Sequence, residues 1–168
     1  MDLEPLARSL DRVGGGRQAR LRVPAEARVQ PPVRRAFVRV GWLLGLLFLI
    51  GAGAVGEAVD LTLTGDRISG FVWWRLVVVF LIAATLFYFL WRASLGWWWA
   101  YSRLRLFSIV FPVVAVSTCL IPGLYPTWMV VEQIAFSAVL VVIFLTLTRG
   151  EVRAAYRRPG PGPAEPVR

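Results

Sequence analysis

Residues 40–56 read VGWLLGLLFLIGAGAVG, 17 positions without a charge between Arg39 and Glu57. Nothing in the run alternates polar with apolar, so a half-buried strand does not fit it. A helix needs about 20 mostly apolar residues to cross a hydrocarbon layer about 30 Å thick. With its flanks the run reaches that length over about 38–59. It is read as a membrane span.

The same pattern recurs downstream. There are 16 uncharged residues between Arg75 and Arg92, 26 between Arg105 and Glu132, and 16 between Glu132 and Arg149. These give further spans at about 71–91, 104–122 and 127–148. In lipid each backbone polar group must find its partner inside the chain, so such runs are helices. Barrel strands of about ten alternating residues would read differently. The links are short: Thr64-Gly65-Asp66 is a turn signal, and Pro122-Gly123-Leu124-Tyr125-Pro126 forces a reversal. The expected fold is an all-α integral membrane protein, an antiparallel four-transmembrane-helix bundle over 38–148. A composition 57% apolar or aromatic agrees, against roughly 45–50% in soluble domains.

Charge sets the expected orientation. All 19 basic residues are arginine, against 10 acidic ones. Residues 1–39 hold nine, the link after the second span three (Arg92, Arg103, Arg105), and residues 149–168 five, leaving Arg67 and Arg75 for the opposite side. Seventeen against two is a positive-inside bias, so both termini are expected in the cytosol. Tryptophan agrees, because indole favours the headgroup level. Trp42, Trp73, Trp74, Trp91, Trp97, Trp98, Trp99 and Trp128 all fall near span ends and are read as interfacial anchors. The first apolar run is too long and too far from the start for a cleaved signal peptide. Arginine without lysine, amid abundant alanine, glycine, proline and valine, suits a GC-rich bacterial genome. The expected location is therefore a bacterial plasma membrane.

Outside the bilayer, Leu3, Leu6, Leu10 and Val13 repeat at helical spacing, giving an amphipathic interfacial helix over 1–13. Residues 14–37 read as a flexible Arg/Pro-rich cytoplasmic linker, and 149–168 as a disordered basic tail. The alternation Arg20-Leu21-Arg22-Val23 is a weak strand signal.

Composition excludes much chemistry. With no histidine there is no imidazole base, no catalytic triad and no histidine-ligated metal. One cysteine, Cys119, makes neither an internal disulfide nor a thiolate zinc site; in a helix it is a small apolar filler. No enzyme, metal or cofactor is expected. Basic arms without a recognisable module or interleaved aromatics do not suggest nucleic acid. They do suit anionic lipid headgroups.

Two constellations remain. Gly41, Gly45, Ala52 and Gly56 fall within roughly 60° of arc on one helix, a groove into which another helix can pack. Its occupant would be a neighbouring span, a second copy or a membrane-protein partner. Glu57, Arg75 and Glu132 lie at similar depth near the outer ends of their spans, with Gln133 and Ser137 beside Glu132. A charge in lipid is costly, so Arg75 is expected to bridge Glu57, Glu132 or both. That cluster is either a structural pin or a proton- or ligand-responsive site. Pro112 is expected to kink the third span and open a gap near Ser108. Two functions follow: a non-enzymatic accessory or scaffold subunit binding a membrane partner or anionic lipid, or a small dimeric transporter or lipid-handling protein built on the charge cluster.

Overall fold

The computed structural model describes residues 21–65, 70–123 and 125–157. The helix expected over 1–13, the tip of the first outer loop and residues 158–168 lie outside them. All six regular elements described are helices: α1 (Ala25–Val29), α2 (Pro31–Leu63), α3 (Gly70–Ser94), α4 (Trp98–Cys119), α5 (Thr127–Leu147) and α6 (Gly150–Ala155). Four of them, α2 to α5, are long and apolar enough to cross a membrane. At 1.5 Å per residue the shortest, α5, is about 30 Å long and α2 about 50 Å.

The four long helices form a closed ring, each packed on its neighbours in sequence and α5 back on α2. Their buried stripe is narrow. On α2 it runs Val33, Ala36, Val40, Leu44, Leu47, Gly51, Ala54 and Ala58, in steps of three or four. Gly41 faces Leu90 of α3 and Gly51 faces the Phe80 ring, each with room for no more than ordinary contact. Phe48 meets Phe80 edge-on at 5.0 Å, and Phe89 stacks on Phe107 at 5.6 Å. The outward surface is as apolar as the core, with Leu49, Leu63, Leu120 and Val131 all more than 60% exposed. A water-soluble chain rarely leaves such a continuous apolar girdle uncovered.

The core is in two parts. Val33 to Leu47 pack with Leu86, Ala93, Trp99 to Leu104, Phe136 to Leu147, Val152 and Tyr156. Ala54 and Ala58 pack with Val72, Leu76 and Met129 at the other end. The first part gathers the arginine-rich segments.

Several segments differ from the reading above. The described part of the stretch read as linker packs on the bundle: Val23 donates to the Gly96 carbonyl at 2.9 Å, Trp98 donates to the Leu21 carbonyl at 3.3 Å, and Arg22 and Trp97 form an isolated bridge. The strand signal is thus met within the chain. Helix α2 begins at Pro31 rather than near 38 because proline is tolerated in a first turn, where an N–H has no partner to lose. The basic tail starts with a helix, α6, which seats Val152 and Tyr156 in the core. Trp99 is not an interfacial anchor. It is 1% exposed and packs against Phe89 and Tyr88, because α4 starts at Trp98 rather than 104 and turns Trp99 inward.

One glycine matters to this docking. Gly96 ends the α3–α4 turn at φ +90°, and a Cβ there would lie 2.7 Å from Cδ of Arg28, whose guanidinium donates to the Leu95 carbonyl at 2.6 Å. The left-handed backbone favours glycine there, and a Cβ would also force the Arg28 side chain to shift.

Candidate functional site

Arg75 lies five residues into α3 and Glu132 five into α5. Each helix rises about 1.5 Å per residue, so both sit roughly 7–8 Å inside their helix ends. The guanidinium donates to Glu132 Oε2 at 2.9 Å, and the two side chains are 13% and 8% exposed. A second guanidinium nitrogen donates to the Gln133 side-chain oxygen. Gln133 Nε2 in turn donates to the Ala115 carbonyl at 2.6 Å and to Thr118 Oγ1 at 2.8 Å. The chain of bonds therefore runs α3 to α5 to α4. Tyr125, in the α4–α5 link, places its ring 5.3 Å from the Arg75 guanidinium carbon and stacks on Phe71.

Opposite charges at this spacing neutralise each other and lower the cost of keeping either in lipid. One acceptor is left over. Glu132 Oε1 is buried without a hydrogen-bond partner, as is Ser137 Oγ one turn and a half further on. Beside the cluster, α3, α4 and α5 enclose a cleft of about 200 Å³. Its walls are mainly Val79, Phe111, Val114 and Phe136, and its polar end is Arg75, Glu132 and Gln133.

Of the expected cluster, Arg75, Glu132 and Gln133 come together and Glu57 does not. Glu57 is exposed, while its neighbours Ala54 and Ala58 fill the contact with α3 and α5. Equal depth put it in range, but its position around α2 turns it outward. Thr118, Tyr125 and the Ala115 carbonyl were not singled out in the sequence. Thr118 and Ala115 lie on the α4 face one helical step apart, but nothing local in the sequence points that face at Gln133.

The small-residue groove divides. Gly41 packs on α3, whereas Ala52 and Gly56 are exposed and Gly45 is half-buried, and a Cβ at Gly45 or Gly56 would meet nothing within 4 Å among the described residues. Among the described residues no helix fills it. Trp73, Trp74 and Trp91 are exposed near helix ends and Trp42 is exposed eleven residues into α2, while Trp97, Trp98 and Trp128 are half-buried. Trp97 lies between two arginines, 4.0 Å from the Arg22 guanidinium carbon and 4.8 Å from that of Arg92. Cys119 is half-buried and free. Pro112 sits inside α4 and removes the N–H that would reach Ser108, whose hydroxyl donates to Leu104 at 2.7 Å. Among the described residues no three acidic or cysteine side chains gather where a metal ion could sit.

Compared with protein-family models, with curated proteins and with solved structures, the chain matches none.

Proposed function

We propose that the chain is a non-enzymatic scaffold or accessory subunit of a membrane, an antiparallel four-span bundle with both termini in the cytosol. The observation that carries this reading is the bonding path from Glu132 through Arg75 and Gln133 to Thr118. It uses Arg75, Glu132 and Gln133 to tie α3, α5 and α4 to one another, as a structural pin would. Contacts such as Gly41 with Leu90 and Gly51 with Phe80, where numbers rise on one helix and fall on the other, support the antiparallel register. Arginine-rich segments at one end support the orientation through the positive-inside bias. The open face of Gly45, Ala52 and Gly56 is where a partner's helix or a second copy would approach, and the arginines suit anionic headgroups.

The test is exchange of the pinned charges. Arg75→Gln and Glu132→Gln are each expected to lower folded yield in mild detergent, and Arg75→Glu with Glu132→Arg to restore it. Normal folding of both single variants would reject the scaffold reading.

A second reading has its own support. The unpartnered Glu132 Oε1 and the adjoining 200 Å³ cleft suit a small transporter or lipid-handling protein that takes a donor-bearing ligand there. Loss of a proton or solute flux in well-folded Glu132→Gln would favour it.

A further inference from the structure

At the arginine-rich end, α4 and α6 form the walls of a cleft of about 620 Å³. Its walls carry Trp98, Tyr101, Ser102, Arg105, Arg153 and Arg157. The spacing accounts for the convergence. Ser102 and Arg105 are three apart on α4, and Arg153 and Arg157 four apart on and just past α6, so each pair shares a face. Tyr156, between the two arginines of the second pair, is the anchor that holds that face in place. Its hydroxyl donates to the Ala93 carbonyl at 2.7 Å, and its own carbonyl accepts from Trp98 Nε1 at 3.0 Å. The cleft is fixed from both sides.

Three permanently charged guanidinium groups share this cleft, and no carboxylate among the described residues lines it. The one ion pair among the described residues, Arg75–Glu132, is at the opposite end of the bundle. Arg105 lies 5.7 Å from the Phe144 ring, a contact that does not cancel its charge. Arg153 and Arg157 are exposed. Like charges gathered against aromatic walls repel one another unless an anion sits among them. Guanidinium groups bind phosphate oxygens in paired, planar fashion, and the hydroxyl of Ser102 adds a neutral donor.

We infer that this cleft is a phosphate-binding site. Its level favours a phospholipid headgroup: α4 begins at Trp98 and α5 ends at Leu147, so the cleft opens where the helices leave the apolar layer. The phosphoryl group would sit among Arg105, Arg153 and Arg157, with the glycerol side toward Trp98. Arg34, Arg35 and Arg39 also line a surface groove, but along a single helix with valine and proline and no hydroxyl or indole. That makes them a matched control for charge alone. The inference deepens the lipid-binding part of the proposed function and depends on that reading only for the source of the phosphate.

The full chain in mild detergent is titrated with phosphatidylglycerol and, separately, with phosphatidylcholine, bound lipid being counted by native mass spectrometry. Inorganic phosphate is titrated by calorimetry as a second arm. Phosphatidylglycerol is expected to bind in preference to phosphatidylcholine. Arg105→Gln/Arg153→Gln/Arg157→Gln is expected to weaken it about tenfold or more, and Arg34→Gln/Arg35→Gln/Arg39→Gln to leave it nearly unchanged. Inorganic phosphate binding with the same dependence on the three arginines, and no preference among lipids, would support the site and make its source soluble. An equal loss in both triple variants, or no loss in the first, overturns the site. If the first triple fails to fold, Arg153→Gln/Arg157→Gln removes only exposed side chains and must show the same selective loss. The charge exchange at Arg75 and Glu132 involves none of these residues, so failure here is separable from failure of the scaffold reading.

Discussion

Replacing Glu132 by glutamine keeps the size of the side chain and removes the charge that balances Arg75. Breaking a buried pair in a soluble protein costs roughly 3–5 kcal/mol, because the remaining charge is stranded. Two features of this site reduce the figure. Hydrogen bonds between membrane helices average only about 0.6 kcal/mol. Arg75 is also just five residues from the start of α3, so the long side chain can extend toward the interface and recover part of its solvation. With Gln133 and the Tyr125 ring still in place, a loss of about 2 kcal/mol is expected for Glu132→Gln, and a similar loss for Arg75→Gln. The double variant strands no charge. It should therefore lose about 1–2 kcal/mol rather than the sum of about 4, a coupling of about 2–3 kcal/mol. Unfolding in mild detergent, followed by tryptophan fluorescence against increasing dodecyl sulfate, measures all three. Losses that add to within about 0.5 kcal/mol would mean that the two side chains do not act as a pair, and the pin would fail.

Other perturbations test the rest of the bundle. Trp99→Ala removes a side chain that is 1% exposed and should cost about 3–5 kcal/mol, whereas Trp42→Ala, at 78% exposed, should leave thermal unfolding almost unchanged. Gly96→Ala should lower the unfolding temperature more than Gly65→Ala. Both glycines have positive φ, but only at Gly96 does a Cβ meet Arg28, at 2.7 Å. Burial raises the Tyr156 phenol above its ordinary value of 10.0, the nearby Arg28 charge offsetting part of the effect. A raised pKa in the folded state means that its contribution is complete below the ordinary phenol value and is lost as pH climbs beyond it. Docking of α6 should therefore persist through neutral and mildly alkaline pH and release only above about 10. Tyrosinate absorbance should show a late-ionising component that Tyr156→Phe diminishes.

The four spans were legible because a helix in lipid needs about 20 apolar residues, and uncharged runs of that order stand out in any reading of residues 40–148. The meeting of Arg75 with Glu132 was legible for a related reason: both sit at one depth, and a lone charge there is costly. Depth says nothing of direction around a helix, and that is where Glu57 escaped. The buried face of α2 was nonetheless visible. The steps of three and four linking Val33, Ala36 and Val40 continue those of Leu44 to Ala58, which extends the helix back into the stretch read as linker. Val152 and Tyr156, four apart, carried a like signal in the basic tail. Charge and proline content hid both. Partners such as Tyr156 with Ala93, 63 residues apart, come only from tertiary packing. Local patterns hold no trace of them.

The central claim is that the apolar helices cross a membrane and carry the arginine-rich segments to its cytosolic face. Single-cysteine labelling tests it directly. In a Cys119→Ser background, Thr64→Cys between α2 and α3 should react with a membrane-impermeant maleimide on intact cells. Arg157→Cys, just past α6, should react only once the membrane is opened. Reaction of both sites on intact cells, or of Arg157→Cys alone, would contradict the account.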